Sequence, residues 1–211
     1  MTLFIDNDAL LKLANYDLLD IAFTMFNIPP QDVHVLATAK YVLVPAKDRL
    51  RHCKTEEAAY RLEHFLSKAT KLDVDSVSSE VLDPLFAIPG IDPGEALMLA
   101  MAAPNPDSYI ITGDKRALEA LHGGKGLDTI RGALAGRLLS LELLFQFLIE
   151  GDFEKVQACV RSQLGVDKSL TIAFGISAPA SLESVREALN SYVEHLRRMT
   201  GALLHPSPTS S

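Results

Sequence analysis

The chain has 211 residues, of which 48% are apolar and 22% charged, and its 20 Lys and Arg against 27 Asp and Glu give a formal net charge of −7. That length suits one generous domain, or one with a small appendage, and argues against a fusion of two enzymes. The composition excludes wholesale disorder, and the acidic balance argues against a protein that grips duplex DNA through a broad basic surface.

In chain order, residues 2–5 form a short apolar run closed by Asp6, which predicts a buried strand. Ala9, Leu10, Leu13, Ala14, Leu18, Leu19, Ala22, Phe23 and Phe26 recur at three-and-four spacing, predicting helix until Pro29-Pro30. Residues 31–43 read equally as helix or strand, and Thr55 is placed to N-cap a helix that continues through Leu66. Residues 71–77 alternate like a short strand and 78–86 suit a small helix. Asp92-Pro93-Gly94-Glu95 opens a helix to about residue 103, with Asp92 as N-cap and Glu95 closing a capping box. Residues 108–112 predict a fully buried strand, followed by Gly113-Asp114 and a helix over 115–121. The run His122-Gly123-Gly124-Lys125-Gly126 follows a helix and lacks the Gly-Lys-Ser/Thr ending of a phosphate-binding loop, so it reads as a flexible turn. Residues 137–141 suit a strand feeding a helix from Glu142 to Gly151. Beyond it, helical patterns at 153–164 and 182–199 flank a β-like stretch at 170–174, and residues 205–211 read as a frayed tail.

Such alternation implies an α/β fold, a three-layer α/β/α sandwich with a mostly parallel central sheet, over residues 1–150. Residues 151–204 would form a mainly helical extension, and 205–211 a disordered tail. The longest apolar stretch, residues 138–149, is interrupted by Glu142 and Gln146 and is too short to span a membrane. The opening Met-Thr-Leu-Phe-Ile-Asp has no basic leader or apolar signal core, so a cytoplasmic location and no membrane partner are expected. Cys53 and Cys159, the only cysteines, are far apart and have no His at metal spacing, which excludes a local disulfide framework or zinc finger.

Acids at strand ends or helix starts occur in three places: Asp6-Asn7-Asp8, Asp92-Pro93-Gly94-Glu95 and Thr112-Gly113-Asp114. In a parallel sheet, ligands bind beyond the carboxyl ends of the strands, where Asp6 and Asp114 fall. Mg²⁺ and Mn²⁺ take oxygen ligands and are held by one or two carboxylates plus waters and substrate phosphate oxygens.

With these motifs the sequence resembles the PIN-domain ribonucleases, the family that includes VapC-like toxins. The resemblance lies in Leu3-Phe4-Ile5-Asp6, in Asp92-Pro93-Gly94-Glu95-Ala96 and in Ile110-Ile111-Thr112-Gly113-Asp114-Lys115-Arg116, in that order within residues 1–150. It implies an endoribonuclease in which Asp6, Glu95 and Asp114 hold Mg²⁺ or Mn²⁺, Asp8 is the fourth catalytic acid, and Thr112, Asp92 and Lys115 support the site or touch substrate. An RNA substrate, an antitoxin protein and a homodimer are the partners it implies. The family's usual further Glu has no counterpart in residues 32–47. Either Asp8 or Asp92 completes the site, or the site is weakened, or the chain is a PIN-like binding or adaptor module without activity.

The same residues have structural readings. Asp8, Asp92 and Asp114 are each placed to cap a helix, and Glu142 to serve as a cap or a supporting group. Asp6, closing an apolar strand, has the smallest structural explanation. Lys47, Arg49, Arg51 and Lys54 form the one basic concentration and are RNA-contact candidates or a solvated loop, and Lys115 with Arg116 has the same two readings. A rival enzyme reading is a haloacid-dehalogenase-like phosphatase, which Phe4-Ile5-Asp6-Asn7-Asp8 resembles; Asp6 would then be the nucleophile and Asp8 the general acid.

Overall fold

The computed structural model describes residues 1–208. The first strand forms as β1 (Thr2–Ile5), and Asp6 ends it by capping α1 (Asn7–Asn15). The helix expected to continue to Phe26 is instead divided, with α2 (Leu19–Met25) following a break at Tyr16-Asp17-Leu18. Asp17 there adopts a left-handed φ of 59° and donates its N–H to the Ala14 carbonyl, which also accepts from the Arg61 guanidinium. The ambiguous stretch resolves into a 3₁₀ turn at Pro30–Asp32, β2 (Val33–Val35) and α3 (Ala39–Leu43). Thr55 caps α4 (Glu56–Lys68), its Oγ1 accepting from Ala58 N.

The alternation at 71–77 is not a strand. Only β3 (Thr70–Lys71) pairs; the Asp73 carboxylate then accepts from Asp75 N and turns the chain into a 3₁₀ helix at Val74–Ser76. α5 (Ser79–Phe86), α6 (Pro93–Ala102), β4 (Ser108–Thr112) and α7 (Lys115–Gly123) follow as expected, the glycine-rich run serving as the end of α7 and a turn. After α8 (Asp128–Leu134) and β5 (Leu138–Ser140), Ser140 caps α9 (Leu141–Ser162), which is kinked at Asp152, where φ is −156°. The β-like stretch is helix α10 (Lys168–Ala173): the Asp167 carboxylate accepts from Leu170 N, and Leu170, Ala173 and Phe174 are buried at helical spacing while Ile172 is exposed. α11 (Leu182–Thr200) follows and runs into a 3₁₀ turn at Gly201–Leu203.

The five strands of the described residues are all parallel, in the order β3-β2-β1-β4-β5. Strand order therefore reverses between β1 and β4, which opens a crevice beyond their carboxyl ends. Alternate residues serve the two layers: Phe4, Ile110 and Leu138 face α6, whereas Leu3, Ile111 and Leu139 face the side bearing α2 and α9. One buried apolar cluster runs from Leu3 to Leu204 and includes Val156, Phe174, Leu189 and Val193, so residues 151–204 share the core of the sheet domain. Among the described residues no helix is long and apolar enough to cross a membrane.

Two contacts fasten the right-hand side of the sheet. Arg137, nearly buried, donates to the carbonyls of Ala102, Asn105, Ser108, Ala103 and Ala133, gathering the end of α6, the start of β4 and α8. Arg137→Lys keeps the charge and loses the fork of donors, so it should lower unfolding stability by about 2 kcal/mol in a denaturant titration. The second contact corrects the expected frayed tail. Leu204 pairs with Leu138, His205 N donates to Leu138 O at 2.8 Å, and Arg197 holds His205 O at 2.7 Å and Ser207 Oγ at 3.1 Å. Residues 205–208 are thus tied down, and 209–211 lie outside the described residues.

Candidate active site

β1 and β4 deliver Asp6 and Thr112 side by side at the crevice. The nearly buried Asp6 carboxylate has three donors: Ala9 N at 2.6 Å on Oδ1, and Thr112 Oγ1 at 2.5 Å and Gly113 N at 2.7 Å on Oδ2. Thr112 Oγ1 in turn accepts from Asp114 N at 3.0 Å, which links the three motif residues in one relay. Asp6, rather than Asp8, caps α1. Burial raises the Asp6 pKa and outweighs the three donors, with the Asp8 charge adding to the rise.

The capping box forms as expected, with Glu95 N donating to Asp92 Oδ1 at 2.8 Å and Asp92 N to Glu95 Oε2 at 2.7 Å. The Glu95 carboxyl is pushed up to about 7, first by burial and then by the charges of Asp92, Asp114 and Asp6; the Asp92 N–H opposes this. Four acids from three distant stretches therefore share one field, as the motifs imply. Asp114 caps α7 through Arg116 N and Ala117 N, and its Oδ2 also meets the exposed Arg116 guanidinium at 3.3 Å.

Beside this cluster lies an open cleft of about 550 Å³ lined by Asp8, Lys12, Asp114, Lys115, Glu142 and Asp167, among others. Lys12 bridges Asp8 at 2.7 Å and Asp167 at 2.8 Å. Burial works against its charge, but the two carboxylates prevail and raise its pKa, while Lys12 holds Asp167 below the usual range against the effect of burial. Lys115 is held by nearly buried Glu142 and stands 5.6 Å from the centroid of the Tyr192 ring. Lys12, Asp167 and Tyr192 carry no functional motif in the sequence. Only the Asp8–Lys12 spacing of four had a local signature; Asp167 was hidden by the β-like appearance of what it caps.

Gly113 is required by close approach, because a Cβ there would stand 2.2 Å from Asp8 Oδ2. Gly113→Ala should displace the Asp8 carboxylate from Lys12 at a stability cost within about 1 kcal/mol. Thermal melts should show that small loss, and Mn²⁺ titration weaker binding than wild type.

The basic stretch is not in the cleft. Asn15, the last residue of α1, accepts from Lys54 N at 2.7 Å and donates to His52 O, so Lys47, Arg49, Arg51 and Lys54 belong to the end of α1 opposite Asp6, about 13 Å away along the helix. Among the described residues, no group of three or more His, Cys, Asp or Glu side chains is arranged to hold a metal ion. The donor set nevertheless fits a hydrated hard cation better than a closed cage. Asp6 retains an acceptor site on Oδ1 and Glu95 has Oε1 free of protein donors, while Mg²⁺ needs only one or two carboxylates beside its waters. No family model, curated protein or solved structure matches the chain.

Proposed function

We propose that the chain is a metal-dependent endoribonuclease that hydrolyses RNA phosphodiester bonds at the crevice between β1 and β4. The observation that carries this reading is that the charges of Asp92, Asp114 and Asp6 all act on buried Glu95, which is raised to about 7 first by burial and then by these three. A hydrated Mg²⁺ or Mn²⁺ would supply charge neutralisation of the phosphate and activation of a water. Asp6, fixed by three donors, and Glu95, fixed by Asp92 N, are the preorganised ligands, with Asp114 acting directly or through water. Thr112 orients Asp6 and Asp114 together, and Lys12, Lys115 and Arg116, each paired with a carboxylate of the cleft, are the donors that would turn to phosphate oxygens there.

The phosphatase reading needs Asp6 as an attacking nucleophile and Asp8 as the general acid, but Asp8 is salt-bridged to Lys12 at 2.7 Å. A binding module without activity has one observation in its favour, the lack of a preformed three-ligand group among the described residues. Incubation of a labelled mixed-sequence RNA with the purified chain in Mn²⁺, Mg²⁺ or EDTA, beside a generic phosphatase substrate, separates the three. Metal-dependent RNA cutting is expected; phosphatase turnover, or silence in both assays, would overturn the proposal.

A further inference from the structure

We propose that the outer surface made by α3, the loop after it and α4 is a docking platform for single-stranded RNA, separate from the carboxylate cleft; RNA as the occupant rests on the function proposed above. Charge is segregated along this chain. Residues 40–71 contain eight of the 20 Lys and Arg and four of the 27 Asp and Glu, a balance of +4, whereas the remainder of the chain stands at −11. Within the same segment lie the two most exposed large apolar or aromatic side chains of the described residues, Tyr41 at 77% and Tyr60 at 66%. The Tyr60 ring lies nearly parallel to that of His64, with 8° between planes and 6.1 Å between centroids.

Glu63 brings these parts together. Its carboxylate meets Lys40 of α3 at 3.4 Å and Arg49 of the loop at 3.0 Å, so one α4 side chain fixes all three segments to a common face. Asn15, donating to His52 O and accepting from Lys54 N, anchors the loop to α1, whose other end carries Asp6. Unpaired bases have π faces that stack on exposed aromatic rings without regard to sequence, and phosphates between them are neutralised by nearby cations. A base-paired helix hides its base faces, so the two tyrosines favour a single strand. Lys47, Arg51 and Lys54, all exposed and without an acidic partner among the described residues, supply the phosphate contacts.

The test is fluorescence anisotropy of a labelled oligouridine with the full chain in EDTA, where cleavage is off. Binding should weaken steeply with salt, and Tyr41→Ala combined with Tyr60→Ala should weaken it about tenfold or more at fixed salt. Exposed Ile176→Ala, outside the platform, should leave it unchanged. Circular dichroism verifies that the double variant is folded. RNA affinity that falls in the double variant, with no cleavage by any form in Mn²⁺, would support the platform and remove the nuclease reading. Cleavage by wild type with equal RNA affinity in both forms would overturn the platform and leave the nuclease standing. Tighter binding of DNA of matching sequence would overturn RNA as the occupant. Self-association of wild type that the double variant abolishes, without a change in RNA affinity, would make the surface an interface between copies and overturn the proposal.

Discussion

Asp6→Asn is expected to reduce metal-dependent RNA cleavage by about a thousandfold or more while leaving the chain folded. The amide keeps the size of the carboxylate but offers a single acceptor oxygen, so it cannot serve Ala9 N on one side and Thr112 Oγ1 with Gly113 N on the other. One of the two contacts is lost, at about 1 kcal/mol, the usual cost of a missing N-cap. Removal of a buried charge whose pKa is raised by desolvation offsets that loss, so the net change in stability should be small. Parallel thermal melts and gel assays of wild type and variant test both halves. Full cleavage by Asp6→Asn would sink the site assignment.

The second large effect is a pH dependence centred on Glu95. Its carboxyl rises from 4.5 to about 7 on folding. Below the unfolded value both states hold the proton and nothing is lost. Between 4.5 and about 7 the native state keeps the proton that the unfolded chain has released, so stability falls as pH rises through this window. Above it the full difference, about 3 kcal/mol, weighs against the native state. Asp6, raised for the same first reason, acts in the same direction, whereas Asp167 is lowered and acts oppositely at more acid pH. Glu95→Gln retains an acceptor for Asp92 N and removes the charge. Urea titrations should find it level with wild type near pH 4 and more stable by about 3 kcal/mol near pH 8. Equal stability of the two proteins at both pH values would show that the converging charges do not act on Glu95.

The parts of this molecule legible in its sequence are those whose cause is local. An apolar run closed by an acid gave β1, and a cap, a proline and a Glu three residues on gave the start of α6. The carboxylate cluster was legible because each member ends a strand or starts a helix beside one crevice. Asp6 has the least apparent structural task in the sequence, yet it is the residue that caps α1. The Lys12–Asp167 pair was not legible: the partners are remote in sequence and meet only because the cap of α10 is brought against Lys12 and Tyr16. α10 itself was disguised by Thr171 and Ile172, β-branched residues of which Ile172 is exposed and Thr171 donates its hydroxyl to the Leu164 carbonyl, while Leu170 and Ala173 hold the helix to the core. The basic stretch was evident as charge, but no sequence pattern told which end of α1 it would join.

The contacts that hold Leu204 and His205 against Leu138 have a colloidal consequence. β5 is the last strand on its side of the sheet, so its outer backbone groups would otherwise be open to strands of other chains. The returning tail covers part of that row, and on the opposite side β3 is only two residues long. Neither border offers a long template for intermolecular pairing, and the parallel sheet is thereby guarded against growing from one molecule into the next.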